Sequence, residues 1–195
     1  MQPSDTFYDW TSRSTSIVFF GGAGVSTESG IPDFRSEDGL YRQNYRFSPE
    51  TILSHDFFKT HTDEFYRFYR EKMLCLAAHP NAAHRRLAQW EAEGRLRAIV
   101  TQNIDGLHQK AGSRRVWELH GSIHRNICLQ CHAVYGVSVI AGDEGIPRCA
   151  ACGGLIKPDV VLYGESLDEA VLRGAVSAIE EAEVLIVAGT SLRCV

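Results

Sequence analysis

The chain has 195 residues, 44% of them apolar, with 20 Lys and Arg against 24 Asp and Glu, giving a formal charge of −4 and a pI near 6.1. Length and composition support one globular domain with a small insert, and the slight acidity gives no general electrostatic drive toward nucleic acid or an anionic membrane. No signal-peptide pattern opens the chain and no apolar run approaches the ~20 residues that span a bilayer, so a soluble, cytoplasmic protein without direct nucleic-acid or membrane contacts is expected.

The first predicted element is a buried strand at Ile17-Val18-Phe19-Phe20, a continuous apolar run of the kind found in parallel sheets, which enters Gly21-Gly22-Ala23-Gly24 directly. Next comes Ser-Gly-Ile-Pro-Asp-Phe-Arg, which Pro32 makes a poor helix; it reads as a loop displaying Phe34 and Arg35. Helical periodicity follows, with Phe65, Phe68, Tyr69, Met73 and Leu76 on one face, then Ala83, Leu87 and Trp90 on another until Gly94 ends that helix. Strands are predicted at Ala98–Thr101, Val116–Leu119, Val160–Leu162 and Val184–Ala188, making five in one mostly parallel sheet. Between the last two, Ser166-Leu167-Asp168-Glu169 reads as a capping box, with Val171, Leu172, Ala175, Val176 and Ile179 on the buried side of its helix. Alternating strands and helices predict a doubly wound α/β fold, and the long first crossover predicts a helical insert over the carboxyl edge of the sheet. No internal repeat or low-complexity segment is present.

In such a sheet, ligands bind beyond the carboxyl ends of the strands. Gly21, Gly22 and Gly24 follow the first strand, where glycines admit a diphosphate to the backbone, although Thr27 occupies the last position of a G-x-G-x-x-G pattern. A tight turn without a ligand fits the same residues. Asn103 and Asp105 follow the second strand, as reactive groups or as turn formers. His120 follows the third, where an imidazole titrating near neutrality is a candidate general base.

Four of the six cysteines form two pairs, Cys128-x-x-Cys131 and Cys149-x-x-Cys152, with 17 residues between the pairs. This spacing suits a closed tetrahedral Zn²⁺ site, structural because four protein ligands leave no open position. A nucleic-acid-binding ribbon or a redox dithiol is the alternative, but residues 121 to 154 carry no basic and aromatic stripe. His124 and His132 lie nearby as bystanders. Cys75 and Cys194 have no partner by spacing, and Cys75 reads as a small buried apolar residue.

Five ordered motifs, Gly22-Ala23-Gly24-Val25-Ser26 through Gly30-Ile31-Pro32-Asp33-Phe34-Arg35-Ser36, Thr101-Gln102-Asn103-Ile104-Asp105-Gly106-Leu107-His108, Leu119-His120-Gly121-Ser122, the cysteine pairs and Gly189-Thr190-Ser191-Leu192, resemble the sirtuins, NAD-dependent protein lysine deacylases. They cover nearly the whole chain. The resemblance implies a Rossmann-like parallel sheet with an inserted small zinc-binding module and a helical insert. Residues 1–120 and 155–195 would form the NAD-binding domain, with the insert at about 37–80, and residues 121–154 the zinc module. It implies NAD contacts from Gly22, Ala23, Gly24, Phe34, Arg35, Gln102, Asn103, Ile104, Asp105, Gly189, Thr190 and Ser191, with Asp105 holding the nicotinamide carboxamide and Pro32 to Arg35 forming a lid. His120 would be the catalytic base, with Asn103 beside it in the ribose pocket, and Cys128, Cys131, Cys149 and Cys152 would hold structural zinc. Val160-Val161-Leu162-Tyr163-Gly164-Glu165 would line the acetyl-lysine peptide, whose backbone would add as a strand. In the family's chemistry the acyl oxygen attacks the NAD ribose as nicotinamide leaves, and the products are free lysine, nicotinamide and O-acetyl-ADP-ribose. An ADP-ribosyltransferase, or a chain that binds acetylated peptide without turnover, would use the same residues.

Two departures are informative. Sirtuins that prefer acidic acyl groups carry Tyr-x-x-Arg where this chain has Tyr66-Arg67-Phe68-Tyr69, and Arg70 lies about 100° further round a helix. Acetyl is therefore the expected group. Family members also usually continue well past the Gly-Thr-Ser motif, so exposed apolar surface is expected beside the last strand.

Overall fold

The computed structural model describes residues 3–33, 46–142 and 145–192. A first helix, α1 (Pro3–Arg13), which the sequence reading does not anticipate, precedes β1 (Ile17–Gly21) and two single 3₁₀ turns at Ala23–Val25 and Thr27–Ser29. The insert follows as α2 (Pro49–Ile52), α3 (His55–Thr60) and α4 (Thr62–Phe68), the last continuing into a π turn at Tyr69–Met73. Then come α5 (Ala82–Ala92), β2 (Leu96–Thr101), α6 (Leu107–Lys110), β3 (Val116–Glu118), β4 (Gly121–Cys128) and β5 (Val134–Tyr135). The chain continues through α7 (Ser138–Ala141), β6 (Ile156–Val160), α8 (Glu169–Glu180) and β7 (Val184–Ala188).

Strands β3-β2-β1-β7 form a parallel sheet in that order, with β1 pairing β2 on one side and β7 on the other. Ile17 and Phe19 turn to one face and pack with Leu87 and Trp90 of α5, while Val18 and Phe20 turn to the other, against Ala175, Val171 and Ile179 of α8. Helices on both faces explain why β1 is apolar at successive positions. At roughly 1.5–3 kcal/mol per large buried side chain, these two layers are the main stabilising term of the sheet. Because the order reverses about β1, the crevice for a ligand opens between the loops that follow β1 and β7.

The run at Val160–Leu162 does not join this sheet, contrary to expectation. Residues 156–160 pair antiparallel with β4 in a second sheet of order β5-β4-β6. Val160 and Leu162 are apolar because they share a core with Phe58, Phe65, Tyr66 and Tyr69 of the insert and with Ile123 and Ile140 of the cysteine module. Burial on both sides produces the same apolar run as a central strand, so periodicity alone does not separate the two.

Three helix expectations also change. Asp168, not Ser166, caps α8, accepting the Ala170 and Val171 amides at 2.8 and 2.9 Å. Leu172 and Val176 are exposed, because α8 meets the sheet through Gly174, where an added Cβ would come within 2.3 Å of the Trp117 ring. Leu76 lies beyond the turn at Tyr69–Met73 and is exposed. Leu185 and Val187 of β7 are also exposed.

Candidate active site and cysteine centre

Gly22 and Gly24 are fixed by a contact between loops. A Cβ on Gly22 would fall 2.7 Å from the Gly189 oxygen and 2.8 Å from Thr190 Cβ, and one on Gly24 would fall 2.8 Å from Gly189 Cα. Gly189 has φ +65°, and its own Cβ would stand 2.4 Å from the Val25 nitrogen. The Gly24 N–H donates to the Gly189 carbonyl at 2.9 Å. Glycine on glycine thus closes the β1 loop on the β7 loop at the switch point, a reason for these residues beyond ligand access.

Gln102, at the end of β2, links the strand ends. Its N–H donates to the Gly21 carbonyl, its Oε1 accepts from Thr190 Oγ1 at 2.9 Å, and its carbonyl accepts from His120 Nδ1 at 2.9 Å. A carbonyl only accepts, so His120 carries its proton on Nδ1 and keeps the Nε2 lone pair. Burial outweighs the Gln102 hydrogen bond and holds the His120 pKa below its ordinary 6.5, so the ring is neutral at pH 7. The His120 carbonyl accepts the Val161 N–H at 3.0 Å, so one residue bonds both to Gln102 and to the segment that follows β6.

A second network lies one loop further. Ser26, buried and absent from the sequence-derived site residues, donates to Asp105 Oδ2 at 2.6 Å and accepts from Asn103 Nδ2 at 3.1 Å. Asp105 Oδ1 accepts the Leu107 N–H at 2.9 Å, so both carboxylate oxygens are engaged. Asn81 is the other residue the sequence reading misses. It caps α5 through Oδ1, donates its own N–H to His84 Nδ1 at 3.3 Å to complete a capping box, and donates Nδ2 to the Val25 carbonyl at 2.7 Å. Its reach to the β1 loop spans 56 residues of sequence. Behind this site the His84 and His108 rings lie 4.7 Å apart, and burial lowers both pKa values, that of His108 to about 3.

Of the other anticipated positions, Ala23 begins the first 3₁₀ turn, Ile104 accepts the Ile123 N–H at 3.0 Å, and Ser191 is exposed just past Thr190. Phe34 and Arg35, half of the anticipated lid, lie outside the described residues. In the substrate segment Val160 ends β6, Leu162 is buried, Tyr163 is 40% exposed and forms an isolated parallel bridge to Ser54, and Gly164 has φ +86°. Glu165 turns inward: Oε2 accepts from the Leu162 N–H and Lys157 Nζ, and Oε1 meets His55 Nδ1 at 2.9 Å. Partial burial works against it, but these donors hold the carboxyl below the ordinary carboxylate range. Glu165 therefore shapes the segment.

In the cysteine module the four Sγ atoms of Cys128, Cys131, Cys149 and Cys152 lie within 4.8 Å of one another. Cys128 and Cys152 approach to 3.5 Å, as do Cys131 and Cys149. Those separations are far beyond a disulfide and near the ~3.8 Å edge of a tetrahedron with Zn–S bonds of about 2.3 Å. The Tyr135 hydroxyl lies 2.9 Å from Cys149 Sγ, close enough to donate to a thiolate there. Donor set and spacing fit zinc. Cys75 is partly rather than fully buried.

Known proteins match this architecture. The model of the Sir2 family matches residues 22–195. A protein named NAD-dependent protein deacetylase from Clostridium acetobutylicum is 61% identical over 183 residues, covering 92% of this chain and 75% of that protein. A structure of a Sir2 variant with a deacetylated p53 peptide and 3′-O-acetyl-ADP-ribose superposes with TM-score 0.89 at 40% identity, covering 99% of this chain and 78% of the other. A Sir2 structure with p53 peptide and NAD⁺ superposes with TM-score 0.85, also at 40% identity, over 99% and 78% of the two chains. By sequence and by fold, the chain belongs to the Sir2 family.

Proposed function

We propose that this protein is an NAD-dependent protein lysine deacetylase, working at the carboxyl end of its parallel sheet. One observation carries the reading: His120 is a neutral imidazole with Nε2 available, anchored to the cofactor loop through Gln102 and to the substrate segment through Val161. NAD, when bound, supplies the ribose carbon that takes the acetyl oxygen as nicotinamide departs. Gly22, Ala23, Gly24, Gly189, Thr190 and Ser191 frame the crevice that would hold its diphosphate and adenosine side. Gln102, Asn103, Ile104 and Asp105 would form the loop for its ribose and nicotinamide, with the Asp105 carboxylate oriented by Ser26 and the Leu107 amide. His120 Nε2 takes the proton of a ribose hydroxyl, and its neutral state at pH 7 makes that possible.

The peptide would lie along Val161–Gly164, its acetyl-lysine directed toward His120. Acetyl suits the pocket better than an acidic acyl group. Tyr66 and Tyr69 are fully buried, the Tyr66 hydroxyl donates to the Ile156 carbonyl, and the Arg70 guanidinium is turned to the carbonyls of Ile140 and Gly145. Zinc held by Cys128, Cys131, Cys149 and Cys152 would be structural, and thiolate ligation fits a reducing, cytoplasmic setting.

The test is mass spectrometry of an acetyl-lysine peptide incubated with zinc-loaded protein, with and without NAD. NAD-dependent loss of acetyl with O-acetyl-ADP-ribose as product is expected, and a succinylated peptide should react far more slowly. ADP-ribose found on protein, with the acetyl group retained, would replace the deacetylase reading by a transferase.

A further inference from the structure

His124 has no role in the site described so far, yet it touches it. Four hydrogen bonds join the β3–β4 corner to the end of β2 and the loop that follows it: Leu119 N–H to Thr101 O at 2.9 Å, His120 Nδ1 to Gln102 O at 2.9 Å, Ile123 N–H to Ile104 O at 3.0 Å, and His124 Nε2 to Asp105 O at 3.1 Å. Only the last pair involves an exposed side chain on β4 itself. The His124 ring also lies against Gly106, where a Cβ would come 2.7 Å from Cδ2 and 2.8 Å from Nε2.

Gly106 has φ +69° and, lacking a Cβ, visits either hand of backbone at little cost. The peptide between Asp105 and Gly106 is thus not held by its own residues. The Asp105 carbonyl accepts from His124, which selects one orientation of that peptide, while Ser26 and the Leu107 amide hold the carboxylate. A carbonyl accepts only, so Nε2 must carry the proton, and an amide nitrogen at the same reach would serve equally.

We propose that His124 is a positioning residue for the nicotinamide-binding loop, acting through the Asp105 carbonyl and the glycine contact; the proposal rests on the NAD reading above. Its loss lets the Asp105–Gly106 peptide turn, and Asp105 and Ile104 then meet nicotinamide in a spread of geometries.

The experiment is calorimetric binding of NAD and of free nicotinamide to zinc-loaded wild type, His124→Ala and His124→Gln, with steady-state turnover of an acetyl-lysine peptide beside it. His124→Ala is expected to weaken nicotinamide and NAD by about fivefold, the change expected for one net hydrogen bond. The KM for NAD should rise accordingly, with the peptide KM, zinc content and Tm held. His124→Gln, whose side-chain N–H reaches the same carbonyl, should restore most of the loss. Wild-type nicotinamide affinity in His124→Ala, or a Gln variant as weak as Ala, overturns the proposal. Wild type that binds NAD but leaves the acetyl group on the peptide overturns the deacetylase reading, while the affinity ratios still decide on His124. Wild type that binds no NAD overturns both.

Discussion

The two ends of β4 meet different kinds of organisation. Beside Gly121, His120 belongs to a site held by hydrogen bonds among loops far apart in sequence: Ser26 to Asp105, Thr190 to Gln102, Asn81 to Val25. That site stands on a sheet packed by helices on both faces. At Cys128 the chain enters a module with a small buried cluster among the described residues, Cys128, Cys149 and Ile156. There the geometry depends on four sulfurs, and a bound metal supplies what the small core lacks. One site is assembled by the fold; the other assembles its part of the fold. The difference predicts that they fail separately.

The sharpest way to break that comparison is to remove a ligand. Cys149→Ser, or chelation of the wild type, should abolish stoichiometric zinc, whose binding in small structural sites is worth on the order of 10 kcal/mol. Hydrogen exchange should then deprotect amides of β4 to β6 while β1 and β2 stay protected. Simultaneous melting of both sheets would show that the shared core of the insert and module couples them fully.

Next in size is the glycine contact. Gly189→Ala puts a Cβ 2.4 Å from the Val25 nitrogen at a φ of +65°, a strain of roughly 2–4 kcal/mol. It should lower Tm and NAD affinity with zinc retained. An unchanged Tm would mean that the loops part easily.

The buried histidines make the sheet region acid-sensitive. The His108 pKa falls from 6.5 to about 3 on folding, so its contribution is complete above pH 6.5 and is lost as pH drops toward 3. At pH 5 it should already remove roughly 2 kcal/mol of stability. His108→Leu should flatten the decline of Tm between pH 7 and 5; an identical slope would place the acid sensitivity in other groups. A smaller effect is expected from Asn81→Ala, which removes the α5 cap at a cost of about 1 kcal/mol and frees the Val25 carbonyl. NAD binding should weaken alongside Tm, and a Tm change alone would confine Asn81 to capping.

How much was legible follows the same division. Cys-x-x-Cys pairs announce themselves, because the ligands are neighbours in sequence and the chemistry is local. The apolar runs of β1, β2 and β7 are equally plain, and the residues after them fall where an α/β sheet presents its ligand site. Ser26 and Asn81 were missed because their partners lie 79 and 56 residues away. The run at 160–162 misled because two-sided burial looks the same in either sheet. Asp168 displaced Ser166 as the cap because its carboxylate reaches both the Ala170 and Val171 amides.

The central claim, that a neutral His120 is the base of an NAD-dependent deacetylation, is tested most directly by the pH dependence of kcat in wild type and His120→Ala. Because burial holds the His120 pKa below 6.5, the wild-type rate should be flat near pH 7 and fall only on the acid side of 6.5. The variant should lose at least about 100-fold in rate and show no such limb. A variant that keeps the wild-type rate, or a limb that survives the loss of the imidazole, would contradict the account.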